Sequence, residues 1–161
     1  DKASEGASFT IRIVGVSRDE FLELHPDDFD VADNRHCICM GYLPHEKCIQ
    51  VILSSDYSIL YRENNRVSNA GFPTKFAESM ACGIPQIVTD TSDTRDYIKE
   101  DKNGILLSFD KMKAVEQIKK IFLSDRYQID ENKKYIKEIK LFDYHNYVEP
   151  MREFINGLIS K

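Results

Sequence analysis

The feature that most restricts the fold is an alternation of short apolar runs with segments of helical spacing. The runs are FTIRIVGVS (9–17), HCICMGYL (36–43), YSILYR (57–62), PQIVTD (85–90) and ILLSF (105–109). They are mostly continuous apolar stretches rather than polar/apolar alternations, the signature of strands covered on both faces. Between them, PHEKCIQVILSSD (44–56) opens on proline and spaces Cys48, Val51 and Ile52 along a helix. FPTKFAESMACG (72–83) reads as a helix closed by Gly83. DKMKAVEQIKKIFLSD spaces Met112, Val115, Ile118, Ile121 and Phe122 behind Asp110 as an N-cap. RDEFLELHPDDFDVADN gives a short acidic helix and a loop, and TSDTRDYIKEDKNG a loop, a short helix and an Asn-Gly turn. Helices over about 128–140 and 145–160 complete the chain. The expected fold is α/β, a doubly wound parallel sheet with helices on both faces. No internal repeat interrupts the pattern.

A chain of 161 residues suits a single domain, 1–161, with the last helix in 141–161. It opens on Asp1, and DKASEGAS (1–8) reads as the end of a polar linker, so the expectation is a domain cut from a longer protein. A net charge of −5 gives no reason to expect nucleic-acid or anionic-membrane partners. No apolar run nears the roughly 20 residues that span a bilayer, and no secretion leader is visible. A cytoplasmic location follows as an expectation, with the longer protein peripheral at the inner membrane. Cys37, Cys39, Cys48 and Cys82 lack paired metal-knuckle spacing and read as reduced thiols. His25, His36, His45 and His145 have no metal spacing either. Asp90, Asp93 and Asp96 read as caps of turns and a helix start. The basic stretch from Lys133 to Lys140 reads as a solvated helix face, and Val148, Met151, Ile155 and Leu158 as a partly exposed stripe.

In a parallel sheet, ligands bind beyond the carboxyl ends of the strands. The loops there hold Gly15, Ser17, Arg18, Gly41, Tyr42, Arg62, Arg66, Gly71, Pro73, Thr74 and Lys75. Within them, NAGFPTKFAESMACGIPQIVTD (69–90) is the most informative. Gly71 frees the backbone to approach a ligand, and Pro73 starts a helix whose first amides attract phosphate. A lysine in that turn, Lys75, opposes the helix dipole by roughly 0.3–1 kcal/mol, a sign that a bound anion would reverse. Helical phase puts Phe76, Ala77, Met80 and Ala81 on one arc and Thr74, Lys75, Glu78 and Cys82 on the other. Lys75 and Glu78 are then either a solvated i,i+3 pair or ligand contacts. From 57 to 75 there are three bases, Arg62, Arg66 and Lys75, against one acid, Glu63, in an otherwise acidic chain. A basic funnel beside a helix N-terminus suits phosphate.

The segments SSDYSILYR, GFPTKFAESMACGIPQIVTDTSDTRDYI and NGILL resemble the C-terminal, donor-binding domain of GT-B glycosyltransferases of the group 1 type. The likeness is to the retaining group that builds bacterial polysaccharides; it covers residues 9–109 and is densest over 55–107. It implies a Rossmann-like domain with a C-terminal crossover helix, nucleoside-diphosphate sugar as donor, and a separate N-terminal acceptor-binding domain. Glu78, matching the family's E-x-M-A-x-G-x-P glutamate, would bind ribose hydroxyls. The amides around Gly71 to Thr74 would hold the phosphates, with Phe72 and Pro73 among the donor-binding residues. Arg62 and Lys75 would act on the diphosphate, Arg66, Asn69 and Gly15 would be among the donor-binding residues, and Gly41 and Tyr42 would lie where the family seats the base. One departure stands out: the family's first glutamate, eight residues before Glu78, is here Ala70.

The expected function is therefore donor binding in a hexosyltransferase that moves sugar to a glycan or lipid-linked acceptor, the isolated domain being inactive alone. No metal or other cofactor is expected, since the bases can carry the leaving charge. The alternative is a non-catalytic module for a nucleotide or phosphorylated ligand. A flavodoxin-like domain is disfavoured because no early phosphate loop is present.

Overall fold

The computed structural model describes residues 9–28, 30 and 36–159. Every strand pairing in it is parallel. The chain groups into two compact units, one of the described residues up to Val51 with Val115–Ser124, the other of Ile52–Ala114 and the residues from Asp125 on.

In the first unit β1 (Ile11–Ile13) runs parallel to β2 (Cys37–Cys39), with Ile11 opposite Cys37 and Ile13 opposite Cys39. Both are shorter than the apolar runs that predict them. Gly15 and Gly41 explain why: each has positive φ, +98° and +65°, which takes the chain out of the extended region. α1 (Arg18–Leu24) begins at a capping box, Ser17 Oγ accepting from Glu20 N at 3.3 Å and Glu20 Oε2 from Ser17 N at 2.7 Å. Hydrogen bonds from the Ser17 amide and then its hydroxyl hold the Glu20 carboxyl below its usual range. A 3-10 turn, Pro26–Asp28, follows. α2 (His45–Leu53) begins one residue after its proline. Phe9 stacks on His36 at 4.7 Å and on Phe122 at 4.5 Å, so the last turns of α5 (Lys111–Phe122) belong to this unit.

The second unit is built on β3 (Ser58–Leu60), β4 (Gln86–Thr89) and β5 (Gly104–Leu107), in that spatial order. Its register puts Leu60, Val88 and Leu106 in one row. Over that row pack Phe76 and Met80 of α3 (Thr74–Ala81) and Ile136 of α6 (Arg126–Ile139), all almost fully buried. Phe72, Tyr97 and Phe142 close the cluster, with ring centroids 5.1 Å apart for Phe72–Tyr97 and 5.4 Å for Tyr97–Phe142. Such ring pairs add about 0.5–1.5 kcal/mol each beyond area burial. α4 (Thr94–Tyr97) follows β4, and Asn103 closes the turn before β5, its Oδ1 accepting from Lys99 N at 2.8 Å. α5 starts with Asp110 Oδ1 accepting from Lys113 N at 2.9 Å, the predicted cap. α7 (His145–Ile159) carries Pro150 inside it, and Val148, Met151, Ile155 and Leu158 are all exposed.

Several local readings change. On α3 the buried arc is Phe76, Ser79 and Met80, whereas Ala81 is exposed. Ser79 can be buried because its hydroxyl donates to Ser58 Oγ at 3.0 Å. The helix ends in a Schellman motif: Gly83 N donates to Met80 O and Ile84 N to Ser79 O, with Gly83 at φ +79°. α6 begins two residues earlier than predicted because Asp125 caps it, accepting from Gln128 N at 2.7 Å. Its basic stretch is not uniformly solvated. The Lys133 side chain is only 16% exposed, and its Nζ lies 3.0 Å from Asp56 Oδ1, which Arg126 Nη1 also reaches at 2.6 Å. The caps read at Asp90 and Asp93 are also corrected. Asp93 stands at the N-cap of α4 as read but makes no side-chain bond there, and Asp90 instead accepts from Arg95 Nε at 2.8 Å.

Burial pushes the Asp56 carboxyl up, but the bonds and charges of Lys133 and Arg126 outweigh it and hold it below 3.8. The pairing therefore stabilises the fold above the unfolded value and is lost as pH falls through the lower folded one. Asp56→Asn should cost about 1 kcal/mol at pH 7, the scale of a partly exposed cluster. In urea unfolding across pH, the gap from the parent should close below pH 3.8. A gap unchanged down to pH 2 would exclude this linkage.

Candidate functional site

β3 ends at Leu60, and residues 61–73 lead to α3, which returns the chain to the parallel strand β4. That connection sets the N-terminus of α3 at the carboxyl edge of the sheet. Arg62 lies two residues past the ladder. Its N–H donates to Thr89 Oγ1 at 2.8 Å, and the Thr89 hydroxyl donates to Arg62 O at 2.7 Å. The Arg62 side chain is half-buried, and its Nη1 is buried without a hydrogen-bond partner among the described residues. An unsatisfied charged donor of this kind costs about 1–3 kcal/mol or more, so it calls for an explanation.

The loop beyond Arg62 is polar and internally bonded. Asn65 Oδ1 accepts from Ser68 N at 2.8 Å. Asn69 donates to Asn64 Oδ1 at 2.7 Å and accepts from Ser92 N at 2.6 Å, clipping this loop to the one after β4. Asn69, predicted as a ligand contact, is thus bonded on both sides of its carboxamide within the protein. Arg66 is exposed on the same loop.

Pro73 is the N-cap of α3 rather than its first residue, and it supplies no side-chain cap. Phe76 N and Ala77 N both turn to Pro73 O, at 3.1 and 3.4 Å. No acidic residue stands in the first turn, and Thr74 and Lys75 are exposed. The Phe72 ring goes into the core, so only its backbone remains for a ligand. Gly71 is exposed, its φ lies outside the left-handed region, and a Cβ there would meet open space. Neither backbone nor packing requires glycine at 71, and the space beside it is open.

Lys75 Nζ lies 3.6 Å from Glu78 Oε2. The two side chains are 70% and 34% exposed, the i,i+3 pair that one reading anticipated. Such a pair is worth about 0.2–0.5 kcal/mol, little enough for Lys75 to exchange it for a phosphate. Arg62, Arg66, Asn69, Gly71–Lys75 and Glu78 therefore share one loop-helix segment of the second unit. Gly15, Gly41 and Tyr42 share the first, where Gly15 N donates to Gly41 O at 2.8 Å and Tyr42 is 88% exposed.

Thr89 and Ser92 escaped the sequence reading. The only signal for Thr89 is a hydroxyl at the end of an apolar strand; Ser92 carries φ 55°, which no sequence pattern announces. Among the described residues no group of three His, Cys, Asp or Glu side chains could hold a metal ion, and no helix is long and apolar enough to cross a membrane. All four cysteines are free; the Cys37 thiol is pushed up by burial and then by Cys39. Asn69→Ala should speed hydrogen exchange at the Ser92 amide about fivefold, the value of one lost bond of about 1 kcal/mol. Protection at Val88 should stay unchanged; an unaltered Ser92 rate would mean that the clip is not formed in solution.

The sequence model of the family described as Glycosyl transferases group 1 matches residues 2–142. No curated protein matches the chain significantly. Among solved structures, Anabaena HepE in complex with UDP aligns at 16% identity and TM-score 0.65, over 92% of this chain and 41% of that one. HepE in complex with UDP-glucose aligns at 17% identity and TM-score 0.64, with the same coverage. Sucrose-phosphate synthase from Thermosynechococcus elongatus aligns at 17% identity and TM-score 0.65, over 92% of this chain and 38% of that one. At these identities the likeness is one of fold, Rossmann-like as in GT-B domains. The chain spans about two-fifths of the length of those structures.

Proposed function

The chain belongs to the glycosyl transferases group 1 family, and on that premise we propose that it is the donor-binding part of a glycosyltransferase. The observation that carries the reading is Arg62, a cation held partly out of water at the carboxyl end of β3 with Nη1 unsatisfied. A diphosphate bonded to the rest of that guanidinium offsets the lost hydration by a charge-assisted pair in a low dielectric. Lys75 and the first amides of α3 add donors, and the open space at Gly71 admits the phosphates. Glu78, one turn further along, accepts from the ribose hydroxyls. HepE is crystallised with UDP-glucose, which makes a uracil nucleotide the first donor to test.

In the transfer, the bond from the sugar's anomeric carbon to the diphosphate oxygen breaks and its electron pair stays on that oxygen. The acceptor hydroxyl oxygen forms the new bond, and its proton passes to the departing diphosphate oxygen. Arg62 and Lys75 stabilise the charge that develops on the leaving diphosphate, with no metal needed. The acceptor is a glycan or a lipid-linked molecule, held by a further N-terminal domain, and the part described here does not transfer hexose alone. We place the reaction in the cytoplasm. Ala70, exposed where the family's pattern has a carboxylate, favours a second reading in which the nucleotide is bound without transfer.

Calorimetry with UDP, GDP, ADP and CMP tests the donor site, and a folded sample that binds none of them would defeat it. Glu78→Ala should weaken the bound nucleotide roughly ten- to hundredfold while leaving inorganic pyrophosphate unchanged, as expected for one charged hydrogen bond of about 1.5–3 kcal/mol. Equal loss of both would remove Glu78 from the ribose. Lys75→Ala should show the opposite preference, weakening pyrophosphate and sparing the nucleoside.

A further inference from the structure

The donor-site reading assigns Arg62 to the diphosphate but leaves open what aims it. β3 ends at Leu60, opposite Val88, so Arg62 has left the backbone ladder. A backbone N–H and C=O leaving a ladder need new partners. Both partners of Arg62 come from one atom, Oγ1 of Thr89, which accepts at 2.8 Å and donates at 2.7 Å. Thr89 is only 1% exposed and is itself fixed in β4, opposite Leu107. Its hydroxyl thus clamps the Arg62 backbone from both sides, while the Arg62 side chain has no carboxylate to hold it among the described residues.

Resting on the donor-site reading, we propose that Thr89 is a positioning residue: through its paired bonds to Arg62 it sets the guanidinium in place for a diphosphate. The clamp supplies what an ion pair supplies elsewhere, a fixed cation, without neutralising it. A hydroxyl suits the task because it donates and accepts at one atom. Valine has nearly the same shape and can do neither.

The test compares Thr89→Val, Thr89→Ser and Arg62→Ala in the chain, titrated with inorganic pyrophosphate, with UDP, GDP and ADP, and with the matching nucleosides. Thermal unfolding fixes the folded fraction of each sample, and Thr89→Ala replaces the valine variant should it not fold. The expected result is about a tenfold loss for pyrophosphate and diphosphate with Thr89→Val and no change for the nucleoside. Thr89→Ser should restore the parent affinity, and in an Arg62→Ala background Thr89→Val should cost nothing more. Unchanged diphosphate affinity in folded Thr89→Val overturns the positioning role while the donor site stands. So does an equal loss for the nucleoside, or a further loss in the Arg62→Ala background. A parent chain that binds neither pyrophosphate nor any diphosphate overturns both.

Discussion

The pairing register of β4 is the constraint on which the rest of the second unit depends. It aligns Val88 with Leu60 on one side and Leu106 on the other, and this single row carries Phe76, Met80 and Ile136. Side chains alternate along a strand, so a slip of one residue would turn the row to the other face and leave the helices without a floor. The same register fixes where the strands end. It leaves Arg62 two residues past the ladder and brings Thr89, the last residue of β4, to meet it. Core and candidate site are thus two outcomes of one alignment.

Much of this was legible from the residues. Apolar runs located the five strands of the described residues, and punctuation by Pro73, Gly83 and Asp110 located helix ends within a residue or two. The strands came out shorter than the runs because apolar character marks burial rather than pairing, and residues such as Tyr61 flank a ladder without joining it. Ser79 and Lys133 were misplaced for another reason. Each is polar by type and becomes buried only through a partner distant in sequence, Ser58 and Asp56. Helical phase sees the residue and not the partner. Thr89 was missed in the same way, since its two bonds run to a backbone 27 residues away.

The candidate site differs from the surrounding surface in how its charges are settled. Arg95 has Asp90, Arg126 and Lys133 have Asp56, and Lys75 has a loose contact with Glu78. At Arg62 the hydrogen bonds hold the backbone, and Nη1 has no partner among the described residues. A cation not paired with a carboxylate keeps its charge for a ligand. Lys75 stands between these cases, with a partner weak enough to leave.

The ion cluster at Asp56 precedes β3 and Arg62 follows it. The strand and its flanks separate them by roughly 20 Å of extended chain at ~3.3 Å per residue. That exceeds two Debye lengths of about 8 Å at physiological ionic strength. Strand β3 therefore works as a spacer as well as a scaffold: charge changes at its amino end tune how firmly the unit holds together, while the solvent-screened part of the potential at its carboxyl end changes little.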